Sequence, residues 1–257
     1  MSERSRIYFA SDLHLGMQPA EESLRREKLF VEWLEEIRKD AKELWLLGDV
    51  FDYWFEYKKV VPRGFTRFLG KLASLSDEGI ELHLIPGNHD IWVFDYLSTE
   101  IKLQVHRKSL RKEWNGHRFY LGHGDGLHPG DLGYRMLQGI FKNRVIQWFY
   151  ARIHPNGSMA FAQWWSKKSR GKKGSYVPYL GPEKEHQLIF ARNYLRKAQV
   201  DYFVFGHRHV PFDIAVSNTS RVICLGDWIW NFTYAVFDGK TLELKPYLDG
   251  KGEIIRG

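Results

Sequence analysis

The sequence predicts an α/β protein in which two β-sheets pack together with helices on their outer faces. Residues 7–90 alternate short apolar runs with amphipathic helical patterns, an order that gives parallel strands joined by right-handed crossovers. Residues 110–121 and 201–246 add runs separated by turn signals, which mark antiparallel pairs. Residues 130 to about 185 carry helical rather than strand character. They lie between two strand ends of similar chemistry, so they read as an insertion in a single domain spanning 1–257.

Ile7 to Ala10 is the first strand, and it ends in Ser11-Asp12-Leu13-His14. A helix of roughly Ser23 to Lys39 follows, with Leu29, Phe30, Trp33, Leu34 and Ile37 on one face. Leu44 to Leu47 is the second strand and ends in Gly48-Asp49-Val50-Phe51-Asp52. Phe65, Phe68, Leu69, Leu72 and Leu75 mark the next helix, closed by Gly79. Ile80 to Ile85 is the third strand, and Pro86-Gly87 turns it into Asn88-His89-Asp90. Asn115-Gly116 predicts a hairpin whose second strand ends in Gly122-His123. In the insertion the pattern gives a helix over Leu132 to Arg152 and another over Met159 to Lys168. A basic tract at 167–173 breaks them, and a third helix starts near Pro182. Asp201 to Phe205 is a strand ending in Gly206-His207-Arg208-His209. Ile214–Val216 pairs with Val222–Leu225, and Tyr234–Phe237 with Leu242–Pro246.

Composition bounds the function. A 44% hydrophobic, 16% aromatic chain supplies a sizeable core. Thirty-eight Lys and Arg against 31 Asp and Glu leave a net charge of +7, suited to an anionic substrate or lipid surface and no argument for nucleic acid. The single Cys224 excludes an intramolecular disulfide and a thiolate zinc cluster, which points to a reducing compartment. The N-terminus runs charged into the first strand and reads as no signal peptide. No apolar run approaches the ~18 residues that a membrane span needs.

The strand ends carry the chemistry. Asp12-x-His14, Gly48-Asp49-x-x-Asp52, Gly87-Asn88-His89-Asp90, Gly122-His123 and Gly206-His207-x-His209 are expected at one rim, carried there by neighbouring strands of one sheet. Imidazole and carboxylate without thiolate suit first-row divalent metals such as Mn, Fe or Zn. Asp49 is the candidate bridging carboxylate, because Gly48 leaves its backbone room to approach two ions. The alternation in Asp12-x-His14 and His207-x-His209 predicts that each pair points to one side of an extended segment. A lone His or Asp at a strand end is more often a capping residue; the argument rests on the whole set. His83, His106, His117 and His186 belong to no cluster and read as surface or packing residues, whereas His128 and His154 are candidates for substrate contact.

These blocks, in this order over residues 12–209, resemble the signature of the calcineurin-like metallophosphoesterase superfamily. The resemblance implies a four-layer αββα metallophosphoesterase sandwich with a helical cap insertion at about 130–185. It implies two divalent ions, with Mn²⁺ expected: one held by Asp12, His14, Asp49 and His209, the other by Asp49, Asn88, His123 and His207. It gives His89 the role of proton donor or charge stabiliser at the phosphoryl group, oriented by Asp52.

A closer resemblance lies in His123-Gly124-Asp125-Gly126-Leu127, Asp131-x-x-Tyr134, the aromatic and basic cap, and Leu225-Gly226-Asp227-Trp228. These look like the bacterial UDP-2,3-diacylglucosamine pyrophosphatase family of lipid A biosynthesis. That family releases UMP and 2,3-diacylglucosamine 1-phosphate at the cytoplasmic face of the inner membrane. The resemblance implies a UDP-linked acylated sugar as substrate and a peripheral position on the anionic membrane surface. It implies substrate contacts from Asp131 and Tyr134; the basic residues Lys167, Lys168 and Arg170 suit phosphate or a lipid headgroup. One position departs: that family carries arginine where this chain has His89, whereas the wider superfamily carries histidine. Two alternatives stand beside it. One is a metallophosphoesterase of a nucleotide, phosphoprotein or cyclic nucleotide; the other is a non-catalytic binding scaffold, which would have lost ligands that this chain retains.

Overall fold

The structure, a computed structural model, describes residues 4–128, 130, 132–170, 178–250 and 253–257. β1 (Arg6–Ala10), β2 (Ala41–Leu46) and β3 (Glu81–Leu84) run parallel, linked by α1 (Ala20–Ile37) and α2 (Thr66–Asp77). After the short helix α3 (Tyr96–Ile101), β4 (Gln104–Val105) extends this sheet; both are too short to show in the sequence pattern. β5 (Leu110–Trp114) and β6 (His117–Leu121) form the predicted hairpin, with Asn115 and Gly116 both at positive φ as its two-residue turn requires.

α4 (Leu132–Lys142), α5 (Arg144–Tyr150), α6 (Pro155–Arg170) and α7 (His186–Leu195) follow. The chain closes with β7 (Tyr202–Phe205), β8 (Pro211–Ala215), β9 (Arg221–Leu225), β10 (Thr233–Phe237), β11 (Leu242–Pro246) and β12 (Ile255–Arg256). Among the described residues the strands make two six-stranded sheets, ordered β11-β10-β1-β2-β3-β4 and β12-β8-β9-β7-β6-β5.

The period-2 alternation of the strands divides the core into layers. Ile7, Phe9, Trp45 and Leu47 face Phe119, Leu121, Val204 and Ile223 between the sheets. Tyr8, Ala10, Leu44 and Leu46 point the other way, onto Phe30, Trp33 and Leu34 of α1 and Phe68 and Leu72 of α2. Phe203, Phe205 and Val222 meet Leu188 and Ala191 of α7 on the opposite outer face. The protein is thus a mixed α/β molecule of helix, sheet, sheet and helix layers.

The helical segment departs from expectation in detail. The single helix over Leu132 to Arg152 is instead α4 and α5, broken at Asn143. The Asn143 side chain accepts from the backbone of Val145 and Ile146 at 2.9 and 3.3 Å, an N-cap worth about 1 kcal/mol. The helix expected to start near Pro182 starts at His186, since Gly181 takes φ +91° and the backbone N–H of Leu180 donates to Glu185. Aromatic residues seat α4 and α5 on the loops after β2 and β3. The Trp92 indole donates to the Phe141 carbonyl at 2.9 Å, and the Tyr53 and Tyr150 hydroxyls lie 2.8 Å apart. The Tyr150 ring packs 4.8 Å from Trp92 and 4.9 Å from Phe55.

Candidate dinuclear metal centre

Each sequence cluster lies where a strand hands over to a loop, but the strands belong to both sheets. β1, β2 and β3 of one sheet and β6 and β7 of the other end together. This corrects the expectation that neighbouring strands of one sheet carry all five clusters. Asp12, His14, Asp49, His207 and His209 are not extended either; they take φ of 55°, 45°, 52°, 68° and 55°. Side chains with a Cβ enter this region at a cost of roughly 1–2 kcal/mol, and such strain gathers at functional sites. The alternation argument therefore fails for His207 and His209, whose rings turn to different neighbours. His207 lies 5.0 Å from His123 and His209 5.1 Å from His14, between ring centroids.

Backbone contacts zip these loops together. Asp12 and His14 donate their N–H groups to the carbonyls of Gly48 and Asp49 at 3.0 and 2.9 Å. The buried Asp90 carboxylate accepts from the N–H groups of Gly87 and Val50 at 2.7 and 2.8 Å, which clamps the loop after β3 to the loop after β2. Close approach also dictates glycine. A Cβ at Gly48 would collide with the His123 ring, and one at Gly87 with the Asp49 carboxylate.

Two adjacent groups can each hold a cation: Asp12, His14 and His209, and Asp49, His123 and His207. Asp49 joins them, its Oδ2 lying 3.6 Å from His14 Nε2 and 3.4 Å from His123 Nε2. Asn88 belongs to the second group, with Oδ1 3.3 Å from His123 Nε2. His14 Nε2 and His209 Nε2 face each other at 3.3 Å, a contact that at most one proton can bridge. Asp12 Oδ1 is buried and has no hydrogen-bond partner among the described residues, although His209 Nε2 stands 3.3 Å away. An orphaned carboxylate oxygen beside imidazole nitrogens fits a divalent ion, so the donor set passes on its chemistry as well as its composition.

The outer nitrogens of the imidazoles are held so that the inner ones converge. His123 Nδ1 lies 2.8 Å from the Leu47 carbonyl, His209 Nδ1 3.0 Å from Asp227 Oδ2, and His14 Nδ1 3.3 Å from Asp52 Oδ1. Such partners fix the tautomer and aim Nε2 inward. Asp52, paired with His89 from the sequence, does so through its backbone. His89 Nδ1 donates to the Asp52 carbonyl at 2.9 Å, whereas the carboxylate stands 3.8 Å away and serves His14. His89 also donates its backbone N–H to Asp49 Oδ1 at 2.9 Å and is within reach of a cation shared with His14 and Asp49.

The electrostatics follow from burial and charge. Burial works against the Asp49 carboxylate, yet the imidazoles of His123, His89 and His14 hold it well below the usual range. Burial pushes the Asp12 carboxyl up. Burial opposes the charged form of His209, but Asp12 and Asp227 push it up to about 9. Burial, then the neighbouring His123 charge, pushes His207 down to about 3. In this cluster the carboxylates draw positive charge inward, the role a metal cation takes.

The sequence marked the Gly226-Asp227-Trp228 segment but gave Asp227 no role, and it did not mark Arg26 at all. The buried Asp227 holds His209 and accepts from the N–H groups of Ile229, Trp230 and Asn231 at 3.1, 2.8 and 3.0 Å. Its Gly-Asp-Trp setting was the available signal. Arg26, buried on α1, donates to the carbonyls of Leu13 and His14 at 3.2 and 3.1 Å, and no local pattern marks it. The Tyr134 hydroxyl donates to Asp125 at 2.7 Å beside the centre. Asp131 and the side chains of Lys167, Lys168 and Arg170 lie outside the described residues.

Residues 5–211 match the family profile described as calcineurin-like phosphoesterase. A UDP-2,3-diacylglucosamine hydrolase of Porphyromonas gingivalis is 42% identical, covering 96% of this chain and 99% of its own. One of Pseudomonas putida is 25% identical, covering 94% and 98%. Among solved structures, the phosphoesterase Yfce of E. coli matches with a TM-score of 0.44 and 16% identity, covering 94% of this chain and 92% of that one.

Proposed function

We propose, from the premise that the chain belongs to the calcineurin-like phosphoesterase family, that it hydrolyses the pyrophosphate bond of UDP-2,3-diacylglucosamine. The products are UMP and 2,3-diacylglucosamine 1-phosphate, a step of lipid A biosynthesis. The protein is a metal-dependent hydrolase, and the observation that carries the reading is the position of Asp49 between two ligand groups. Asp12, His14, Asp49 and His209 would hold one ion and Asp49, Asn88, His123 and His207 the other, with Mn²⁺ our choice for both. When bound, such ions supply Lewis-acid stabilisation of phosphoryl oxygens and lower the pKa of a water.

The chain's own residues do the rest. His89 gives Nδ1 to the Asp52 carbonyl, so Nε2 is the atom that passes a proton to the departing phosphate oxygen. Asp52 and Asp227 keep the rings of His14 and His209 aimed inward.

We read residues 130–185 as a cap over the site, within one domain. Trp148, Phe149, Phe161 and Trp164 are each more than half exposed on α5 and α6, and Arg152 lies over the Trp148 ring at 4.3 Å. An apolar face mixed with cations suits acyl chains and an anionic leaflet, and so supports a peripheral position on the cytoplasmic face of the membrane. No helix among the described residues is long and apolar enough to cross a membrane. The test is acyl dependence. The ratio kcat/KM should be at least about a hundredfold higher for UDP-2,3-diacylglucosamine than for UDP-glucosamine without acyl chains, as burial of two chains implies. Equal ratios, or preference for a generic phosphodiester, would favour the nucleotide reading.

A further inference from the structure

A cavity of about 550 Å³ opens beside the candidate metal centre, between the loop after β3, the turn before β5 and helices α4 and α5. His123, a candidate ligand of the centre, and Gly87 line it, so the cavity adjoins the centre. Arg107, Lys108, Lys142 and Arg144 line it as well. None of these four makes an ion pair among the described residues. Arg107 is held in place by the carbonyls of Val93 and Phe94 at 2.9 and 3.1 Å, and Lys142 reaches Gln138 at 3.3 Å. The Asp125 carboxylate also lines the cavity and accepts from Tyr134 and Gln138, so four cations against one carboxylate leave the lining net positive, and an anionic ligand lowers the cost of their mutual repulsion.

We propose that this cavity is the subsite for the uridine monophosphate half of the substrate. The inference rests on the pyrophosphatase reading above and divides the substrate in two. The acylated sugar half needs apolar surface, which α5 and α6 offer outside this cavity. The nucleotide half needs cations for phosphate and polar groups for an imide ring. Gln147 gives its side-chain N–H to the Phe141 carbonyl at 2.8 Å and keeps its oxygen to accept the uracil imide N–H. Ile91 and Phe94 offer apolar contact to the ring. The volume falls within the range of roughly 300–1,000 Å³ usual for small-molecule sites.

The test is calorimetric titration of the full-length, metal-loaded protein with UMP and, separately, with inorganic phosphate. Wild type is compared with Lys108→Ala/Arg144→Ala, with the charge-conserving Lys108→Arg/Arg144→Lys and with Gln147→Ala. The alanine pair should weaken UMP and phosphate binding tenfold or more, the charge-conserving pair should restore both to within threefold of wild type, and Gln147→Ala should weaken UMP binding threefold or more while phosphate binding stays within twofold. UMP affinity unmoved by the alanine pair, or UMP and phosphate weakened alike by Gln147→Ala, overturns the assignment. If the wild type fails to cleave UDP-2,3-diacylglucosamine, the functional reading falls and takes this proposal with it. If the wild type cleaves it while UMP affinity ignores the variants, the subsite alone falls.

Discussion

Asp49 is the residue on which the two halves of the centre depend. Its Oδ2 faces His14 on one side and His123 on the other, and its Oδ1 accepts the backbone N–H of His89. Asp49→Ala should therefore remove bound metal from both groups and abolish turnover, measured by elemental analysis and product release on the same sample. His89→Ala should lower kcat by about 10²–10⁴, as expected for loss of a general acid, with metal content unchanged. Loss of metal in that variant would make His89 a ligand instead. The candidate ligands could be picked out in the sequence because each follows a strand end. The geometry that aims them could not: five of them sit at positive φ, and Asp52 reaches His89 through its carbonyl. Away from the centre, buried His83 stacks on Trp45 at 4.0 Å, and burial, then the charges of His106 and Lys112, push it down to about 3. An unfolded histidine titrates near 6.5. Above that pH both states are neutral; as pH falls below it the unfolded chain takes a proton that the folded one refuses, so stability is lost. Wild type should lose about 1–2 kcal/mol more than His83→Phe between pH 7 and pH 5 in urea unfolding. Equal losses would contradict this.

Loops and helices set the next scale. Asp227 lies just past β9 and joins the end of that strand to His209 on the loop after β7. Asp227→Ala should weaken metal binding by about 10–100-fold, a typical cost of losing the partner of a metal-ligating imidazole. Titration of the metal-free protein with Mn²⁺ measures it, and unchanged affinity would show that His209 needs no such support. The sheet elements were readable because period-2 and helical patterns differ sharply and because Asn115-Gly116 marks its hairpin. The helical segment was harder. Its periodicity runs through Asn143, and only the side chain turned onto Val145 and Ile146 separates α4 from α5. Aromatic content alone also could not sort its rings: Tyr150 packs on Trp92 and Phe55, while its neighbours Trp148 and Phe149 face outward.

For the whole molecule, two sheets converge their strand ends on one centre, and the helical segment sits beside it with apolar and cationic surface exposed. The candidate ligands come from both sheets, since β6 and β7 approach from the second. The two sheets are tied by the buried Glu43, which accepts the indole N–H groups of Trp45 and Trp114 at 2.9 Å each. Cosedimentation with anionic vesicles should fall about tenfold or more for Trp148→Ser/Phe149→Ser, given ~1.5–3 kcal/mol for each large apolar side chain removed from lipid. It should also fall with added salt. Binding indifferent to both would detach the exposed face from the membrane. The central claim is that this centre splits the pyrophosphate of a UDP-linked diacylated sugar, and mass spectrometry of the products tests it most directly. Mn²⁺-loaded protein incubated with UDP-2,3-diacylglucosamine should yield equal amounts of UMP and 2,3-diacylglucosamine 1-phosphate, and none with Asp49→Ala. Absence of UMP from the wild-type reaction, or its undiminished release by Asp49→Ala, would contradict the account.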